Sequence, residues 1–530
     1  MKRRVTLLLI LVGGLLLGVS VIVKGARASP GEEVRQPAVA GSFYPQEPRQ
    51  LAATVDGLIA AAGVPAINEP IVALIAPHAG YAFSGPVAAH SYALLKGRKV
   101  HRVVLIGPSH FDGFPFSSVY EGDMYATPLG SVPVDKVFAR KLADLSPLIK
   151  LSSRGHVPFQ GQAEHSLEVQ IPFLQRTLTD FELVPIVMGE QSYEASRALG
   201  VALAELIRGT DTLIVASSDL SHYHPYNEAN TLDGKTLHAI EDWDYLTLSD
   251  NLQNRTWEAC GGAPIVAAMM AAERLGANRA KIIKYANSGD VTGDRDRVVG
   301  YGAVALFREA KPREAERPRF ALTRQEKDQL LDIARKSVES SVKDNKLYEL
   351  PGNLPESLMQ DRGAFVTLTE NGELRGCVGY TASIKPLAQT VRDVAVLAAL
   401  RDTRFRPVTV RELAQLRYEV SVLSPFRRVL DISGIRVGEH GLLIRKGSYQ
   451  GLLLPQVAPE QGWNRKTLLE QTAVKAGLPP NAWKDNDADL FAFTALVFGE
   501  SQPPVLLPED PFSRRPASRP GDREPGLAPQ

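Results

Sequence analysis

The chain has 530 residues, 44% of them hydrophobic, with 60 basic and 59 acidic residues and a formal net charge of +1. That length exceeds what one core organises and predicts two domains with extensions, while the balanced charge excludes a global electrostatic footprint for nucleic acid. Two cysteines exclude a disulfide scaffold, so each is read as an individual thiol.

Residues 1–29 open with Lys2, Arg3 and Arg4 and continue as an uncharged run from Val5 to Val23. Such a run is long enough to cross a bilayer as one hydrophobic helix, and Ala26-Arg27-Ala28 has the small-x-small form of a cleavage site. The segment is expected to be a signal peptide or a membrane anchor. By the positive-inside rule both domains would then lie outside the cytoplasm, membrane-anchored or exported.

Residues 36–308 alternate apolar runs with helical patterns, the signature of an α/β domain with a central, largely parallel sheet. Three of the runs stop at a small residue and then present metal-binding or acid–base side chains. IVALIAPHAGY carries His78, RVVLIGPSH carries His110, and TLIVASSDLSH carries Asp219 and His222. Runs of β-branched and aliphatic residues read as strands buried on both faces, and in open α/β sheets ligands collect beyond the carboxyl ends of the strands.

Nine of the ten histidines lie between His78 and His238. The segment AEHSLE adds Glu164, His165 and Glu168, and EACGGAPIVAAMM adds Cys260. Imidazole, carboxylate and thiolate together are the ligand set of a transition metal. Ser84, Pro86 and Gly97 predict a helix after the His78 loop. Another is predicted from about Pro264 to Leu275, leaving Cys260 just ahead of a helix amino terminus, where a thiolate is favoured.

Residues 309–320 are charged, hold two prolines and lack apolar periodicity, which predicts a linker between domains with separate cores. Residues 321–500 then read as an α+β domain. Thr323 and Glu326 form a capping box before a helix reaching about Val342, and AFVTLT and ELRGCVGY form a hairpin around Asn371-Gly372. A helix follows near Pro386 to Leu400, with later strands in YEVSVLS and GLLLPQV. Cys377 lies between glycines, close in sequence to Arg375, whose charge would favour a reactive or substrate-contacting thiolate. The tail at 501–530, rich in Pro, Arg and Ser, is expected to be disordered.

With AGSFYP, APHAGY, GPSH, EHSLEVQIPFL, SSDLSHY and the pair Cys260-Gly261, the first region resembles the Memo family throughout. LRGCVGY, DTRFRPV, EVSVLSPF and LLLPQVAPEQGW, between about Leu322 and Gly499, resemble the AMMECR family. The chain thus resembles a fusion of proteins B and A of the AmmeMemoRadiSam systems, whose third component is a radical-SAM protein. That resemblance implies a radical-SAM partner and a first domain similar to the class III extradiol dioxygenases, which bind ferrous iron through two histidines and a carboxylate.

Residue by residue, His78 and His110 match the two imidazole ligands, Cys260 falls where the carboxylate would be, and His222 matches the acid–base histidine. A thiolate in place of a hard carboxylate shifts preference toward copper, zinc or a differently tuned iron. Asp219 and His165 join His222 as expected catalytic residues, with Glu164 lining the same cleft. Three readings follow. The first is a metal-dependent redox or oxygenase-like enzyme, with iron or copper, acting on an unidentified small-molecule or peptide substrate. The others are a peptide or phosphopeptide-binding adaptor and a zinc hydrolase.

Overall fold

The computed structural model describes residues 31–310, 321–381 and 383–500. The hydrophobic segment at 1–29, most of the linker and the tail at 501–530 lie outside them, and with them the expected amino-terminal helix. No helix among the described residues is long and apolar enough to cross a membrane. The longest of them, Arg324–Asp344, carries Lys327, Asp328, Asp332 and Lys336 along its length. The expectation of a membrane-anchored or exported protein is corrected accordingly.

The first domain is built on a nine-stranded sheet. Its centre is β1 (Ile71–Ala76), β2 (Arg102–Pro108), β3 (Glu182–Met188) and β4 (Thr212–Ser217), in the spatial order β1-β4-β2-β3 and all parallel. β1, β2 and β4 are the apolar runs picked out above, and successive residues face opposite layers. Val104, Ile106, Ile214 and Ala216 point into one buried cluster, whereas Val103, Leu105, Leu213 and Val215 point into the other. The sheet is mixed at its flanks, because β5 (Val298–Phe307) pairs antiparallel with β1 after returning from the antiparallel strand Arg279–Asn287.

Helix α1 (Gly85–Ala93) packs on one face, with Ser84 at its N-cap position but its hydroxyl donating to the Ala79 carbonyl rather than capping. On the other face lie α2 (Tyr193–Ile207), α3 (Tyr245–Gln253) and α4 (Gly262–Arg274). Helix α4 begins two residues after Cys260, as anticipated.

The second domain is α+β. Helix α5 (Arg324–Asp344) starts with both bonds of the Thr323–Glu326 capping box in place. The hairpin of β6 (Ala364–Glu370) and β7 (Glu373–Tyr380) turns at Asn371 (φ 53°) and Gly372 (φ 87°), the left-handed pair that a tight hairpin requires. Helix α6 (Leu387–Leu400) packs on it, and β8 (Leu416–Leu423) continues the sheet. A second four-stranded sheet contains β9 (Gly441–Lys446) and β10 (Asp489–Phe493), while β11 (Ala495–Gly499) returns to pair with β8.

The domains meet through this second sheet. Leu443, Phe491 and Phe493 belong to the same buried cluster as Trp243, Tyr245 and Leu246, with the Tyr245 and Phe491 rings in edge contact at 5.9 Å. Arg445 reaches Asp250 of α3 at 2.8 Å and lies over the Tyr193 ring at 4.1 Å.

Candidate metal centre

Three connections leave the carboxyl edge of the parallel strands side by side, and the loop between α3 and α4 meets them there. His78 follows β1, His110 follows β2, Asp219 and His222 follow β4, and Cys260 precedes α4. Two glycines make the close approach possible. A Cβ on Gly107 would lie 2.6 Å from the Ser166 Oγ, so its absence lets the Glu164–Ser166 segment cross over β2. A Cβ on Gly261 would lie 2.2 Å from the Ser217 carbonyl, so only glycine lets the Cys260 loop press onto the end of β4.

The ligand atoms of His78, His110 and Cys260 all lie within 4.8 Å of one another, and those of His110, Glu164 and His165 form a second such group sharing His110. Cys260 Sγ is 3.1 Å from His78 Nε2. Ligand atoms around a tetrahedral ion with metal–ligand distances of about 2.0–2.3 Å sit about 3.5 Å apart, so the donor set fits a first-row transition ion with little movement.

Hydrogen bonds fix which ring nitrogen is free. The Ser217 hydroxyl donates its one proton to the Ser166 carbonyl at 2.6 Å, so at 2.9 Å it can only accept from His78 Nδ1. His110 Nδ1 donates to Glu164 Oε1 at 2.9 Å, and His222 Nδ1 donates to the Leu220 carbonyl at 2.9 Å. In all three rings Nδ1 carries the committed proton and Nε2 keeps its lone pair, the arrangement by which second partners orient metal-binding imidazoles.

The electrostatics favour the neutral ring at His78, His165 and His222 and the charged one at His110. Burial, aided by His110 and His165, holds the His78 imidazole well below its usual range, so it is neutral. For His110 burial is outweighed by the hydrogen bond and charge of Glu164, which raise it, and the imidazoles in turn hold the Glu164 carboxyl below its usual range against its burial. Burial takes His165 down to about 4 and lowers His222. The His165 ring stacks on His110 with centroids 4.8 Å apart.

Asp219 is buried and pushed up to about 7 by that burial. Its carboxylate accepts from the His78 amide at 2.7 Å, and its own amide donates to Cys260 Sγ at 3.2 Å. It therefore ties the His78 loop to the Cys260 loop instead of joining the ligand groups. The expectation of a helix-stabilised thiolate at Cys260 is corrected: burial first, then the Asp219 carboxylate, push the thiol up. Its S–H donates to His78 Nε2, and a cation in that place is what would remove the proton.

Cys377 lies in β7 of the other domain. Arg375 does not act on it, because its Nε pairs with Glu412 at 2.7 Å. Burial pushes the Cys377 thiol up, and Sγ accepts from the Thr367 hydroxyl at 3.3 Å.

Sequence reasoning passed over Ser217, Gln170, Gln191 and Glu258. Gln170 donates to the Ser217 hydroxyl at 2.7 Å and to the Pro77 carbonyl at 2.9 Å. Gln191 donates to the Cys260 carbonyl at 2.7 Å and accepts from the Ala263 amide at 3.2 Å. Glu258 accepts from the His222 amide at 3.2 Å. Ser217, Glu258 and Gln170 sit inside the strand-end, Cys260 and EHSLEVQIPFL motifs and were visible as neighbours; Gln191 carried no pattern. Glu168, part of the AEHSLE motif, is used elsewhere, in a buried ion pair with Arg35 and a 2.5 Å bond from the Tyr44 hydroxyl.

A sequence model of the family described as Memo-like protein matches residues 35–305, and one described as AMMECR1 matches residues 331–498. Over 279 residues the chain is 39% identical to a MEMO1 family protein of Methanosarcina mazei, covering 52% of this chain and 99% of the relative. It is 35% identical over 279 residues to a MEMO1 family protein of Nitrosopumilus maritimus, covering 52% of this chain and all of the relative (100%). Among solved structures it is similar to an uncharacterized protein from Pyrococcus horikoshii, 38% identical, covering 34% of this chain and 95% of that one, with a TM-score of 0.34.

Proposed function

Because the chain belongs to the Memo-like protein family and continues into an AMMECR1 domain, we propose that it is a metal-dependent enzyme of redox or oxygenase-like type, working with a radical-SAM protein on an unidentified substrate. The observation that carries this reading is the convergence of His78, His110 and Cys260, with both imidazoles held through Nδ1 so that Nε2 faces the cluster. Iron or copper bound there would supply Lewis-acid or one-electron chemistry.

The remaining residues bind, orient and move protons. Ser217 and Glu164 hold the two ligand rings in one tautomer. Asp219 holds the His78 and Cys260 loops in register. His222, neutral and anchored through Nδ1, offers Nε2 as a base for a substrate proton. His165 is a second neutral imidazole on the His110 side of the cleft.

Metal analysis of anaerobically purified full chain tests the reading. Iron or copper at one equivalent is expected, with occupancy lost in His78→Ala, His110→Ala and Cys260→Ala and kept in His222→Ala. Zinc would turn the reading toward a hydrolase, and no metal toward a peptide-binding adaptor. Loss of metal in Asp219→Ala with full occupancy in Cys260→Ala would replace the ligand set by two histidines and an aspartate.

A further inference from the structure

A cavity of about 310 Å³ shares only Cys260 with the ligand cluster. Its volume is at the lower end of the range for small-molecule sites. Gln191 stands on one side, Ser249 and Leu252 of α3 and Val266 of α4 form the walls, and Arg255 lies in the connection between those helices.

Two features of Arg255 set it apart. It occupies the left-handed position after α3 (φ 57°), where its amide donates to the Leu252 carbonyl and the next amide, of Thr256, donates to the Asn251 carbonyl. That closing motif favours glycine, yet an arginine stands there. Its guanidinium has no hydrogen-bond or ion-pair partner among the described residues, whereas the Arg445 guanidinium beside α3 is paired with Asp250.

Ser249 is 4% exposed and accepts from Gln253 at 3.0 Å; among the described residues its O–H has no acceptor. Gln191 gives one N–H to the Cys260 carbonyl and accepts from the Ala263 amide, which fixes its orientation. The cavity therefore offers an exposed guanidinium at its rim with no protein partner among the described residues, one free hydroxyl donor and apolar walls.

We propose that this cavity binds a small organic carboxylate, with its anionic group at Arg255 and Ser249 and its short apolar body against Leu252 and Val266, beside Cys260. One planar guanidinium and one hydroxyl match the two oxygens of a carboxylate. A phosphate dianion would call for more donors, and the aliphatic walls suit a hydrocarbon body. Arg445 of the second domain holds α3 at Asp250, which keeps this wall in place. Occupancy of the cavity stands on its own residues; its effect on Cys260 rests on the metal reading above.

Butyrate is the probe. Calorimetry on the metal-free full chain should show saturable butyrate binding, tighter than that of acetate or inorganic phosphate. Binding should weaken at least tenfold in Arg255→Ala and Arg255→Gly and recover in part in Arg255→Lys. Arg255→Gly suits the left-handed backbone, so loss of binding there cannot be blamed on misfolding. With cobalt(II) loaded as a spectroscopic stand-in, butyrate should shift the thiolate-to-cobalt absorption band. Absence of saturable binding, equal affinity for acetate, butyrate and phosphate, or unchanged binding in Arg255→Gly each overturns the proposal. Cobalt uptake without butyrate binding sinks this inference alone, and butyrate binding without cobalt uptake sinks the metal reading alone.

Discussion

One buried polar cluster lies at the carboxyl edge of the first sheet and another where the domains meet, and they differ in how much bonding capacity they leave unused. At the domain interface Asp489 is 1% exposed and receives the Tyr193 hydroxyl at 2.8 Å, Arg197 Nε at 2.7 Å, Arg274 Nη2 at 3.3 Å and Arg428 Nε at 3.3 Å. Its oxygens are saturated by donors from both domains. At the sheet edge, by contrast, His78, His110 and His222 each have Nδ1 spent on an orienting partner, and their Nε2 lone pairs meet nothing stronger than the Cys260 thiol at His78. Burial and charge are common to both clusters; of the two, only the sheet-edge one turns imidazole lone pairs toward a common point. A closed cluster holds domains together, and an open one is fitted to take a ligand.

The largest effect is expected from emptying the closed cluster. Asp489→Ala leaves buried guanidinium groups facing one another across the interface, and losing one partner of a buried ion network costs about 3–5 kcal/mol. Urea unfolding followed by the four tryptophans should show that loss, or split into two transitions as the domains separate, while metal affinity of the folded chain stays unchanged. Equal stability of the variant would mean that the interface rests on its apolar contacts alone. Ser217→Ala acts on the open cluster and should do the reverse. It removes the acceptor that fixes His78 and should weaken metal binding about 10 to 100-fold, measured by competition with a chromophoric chelator. The stability cost of stranding the Gln170 and His78 donors should be about 1–3 kcal/mol. Full affinity in Ser217→Ala would show that the tautomer of His78 is set by something else.

The sequence made the open cluster readable and left the closed one out of sight, for a physical reason. Strand-end motifs such as LIAPHAG and SSDLSH bind their chemistry to a local pattern, because a buried parallel strand must be a run of aliphatics and its exit must turn. His78 and His110 could therefore be placed together before any fold was known, and Cys260 joined them through the family resemblance. The hairpin at Asn371-Gly372 and the capping box at Thr323 were legible on the same ground, each being complete within a few residues.

Asp489 carries no such signal. Its partners lie 61 to 296 residues away in the chain, and nothing in the local sequence of a strand beginning DLFAF announces three arginines. The same distance hid the shared apolar surface, and an expectation of wholly separate cores took no account of Phe491 packing on Tyr245. The thiol at Cys260 was read from helix polarity alone, and burial, which no local pattern reports, reversed it.

The smallest effect expected concerns pH and again sets neighbours against each other. Burial, partly offset by Arg428 and Tyr245, pushes the Glu273 carboxyl up to about 7 from its ordinary 4.5, while Arg197 and Arg274 hold Asp489 below its ordinary 3.8 despite burial. A raised carboxyl binds its proton more tightly in the folded chain, so the Glu273 contribution is complete below about 4.5 and is lost as pH rises to about 7. A depressed one does the opposite: the Asp489 contribution is present above about 3.8 and lost as pH falls through its lower folded value. Each single group can tilt stability by at most about 1.4 kcal/mol per pH unit. Glu273→Gln should flatten the decline in melting temperature between pH 5 and 7 and leave the acid limb untouched. A variant that lost the acid limb instead would show that Glu273, rather than Asp489, is the charged carboxylate of the interface.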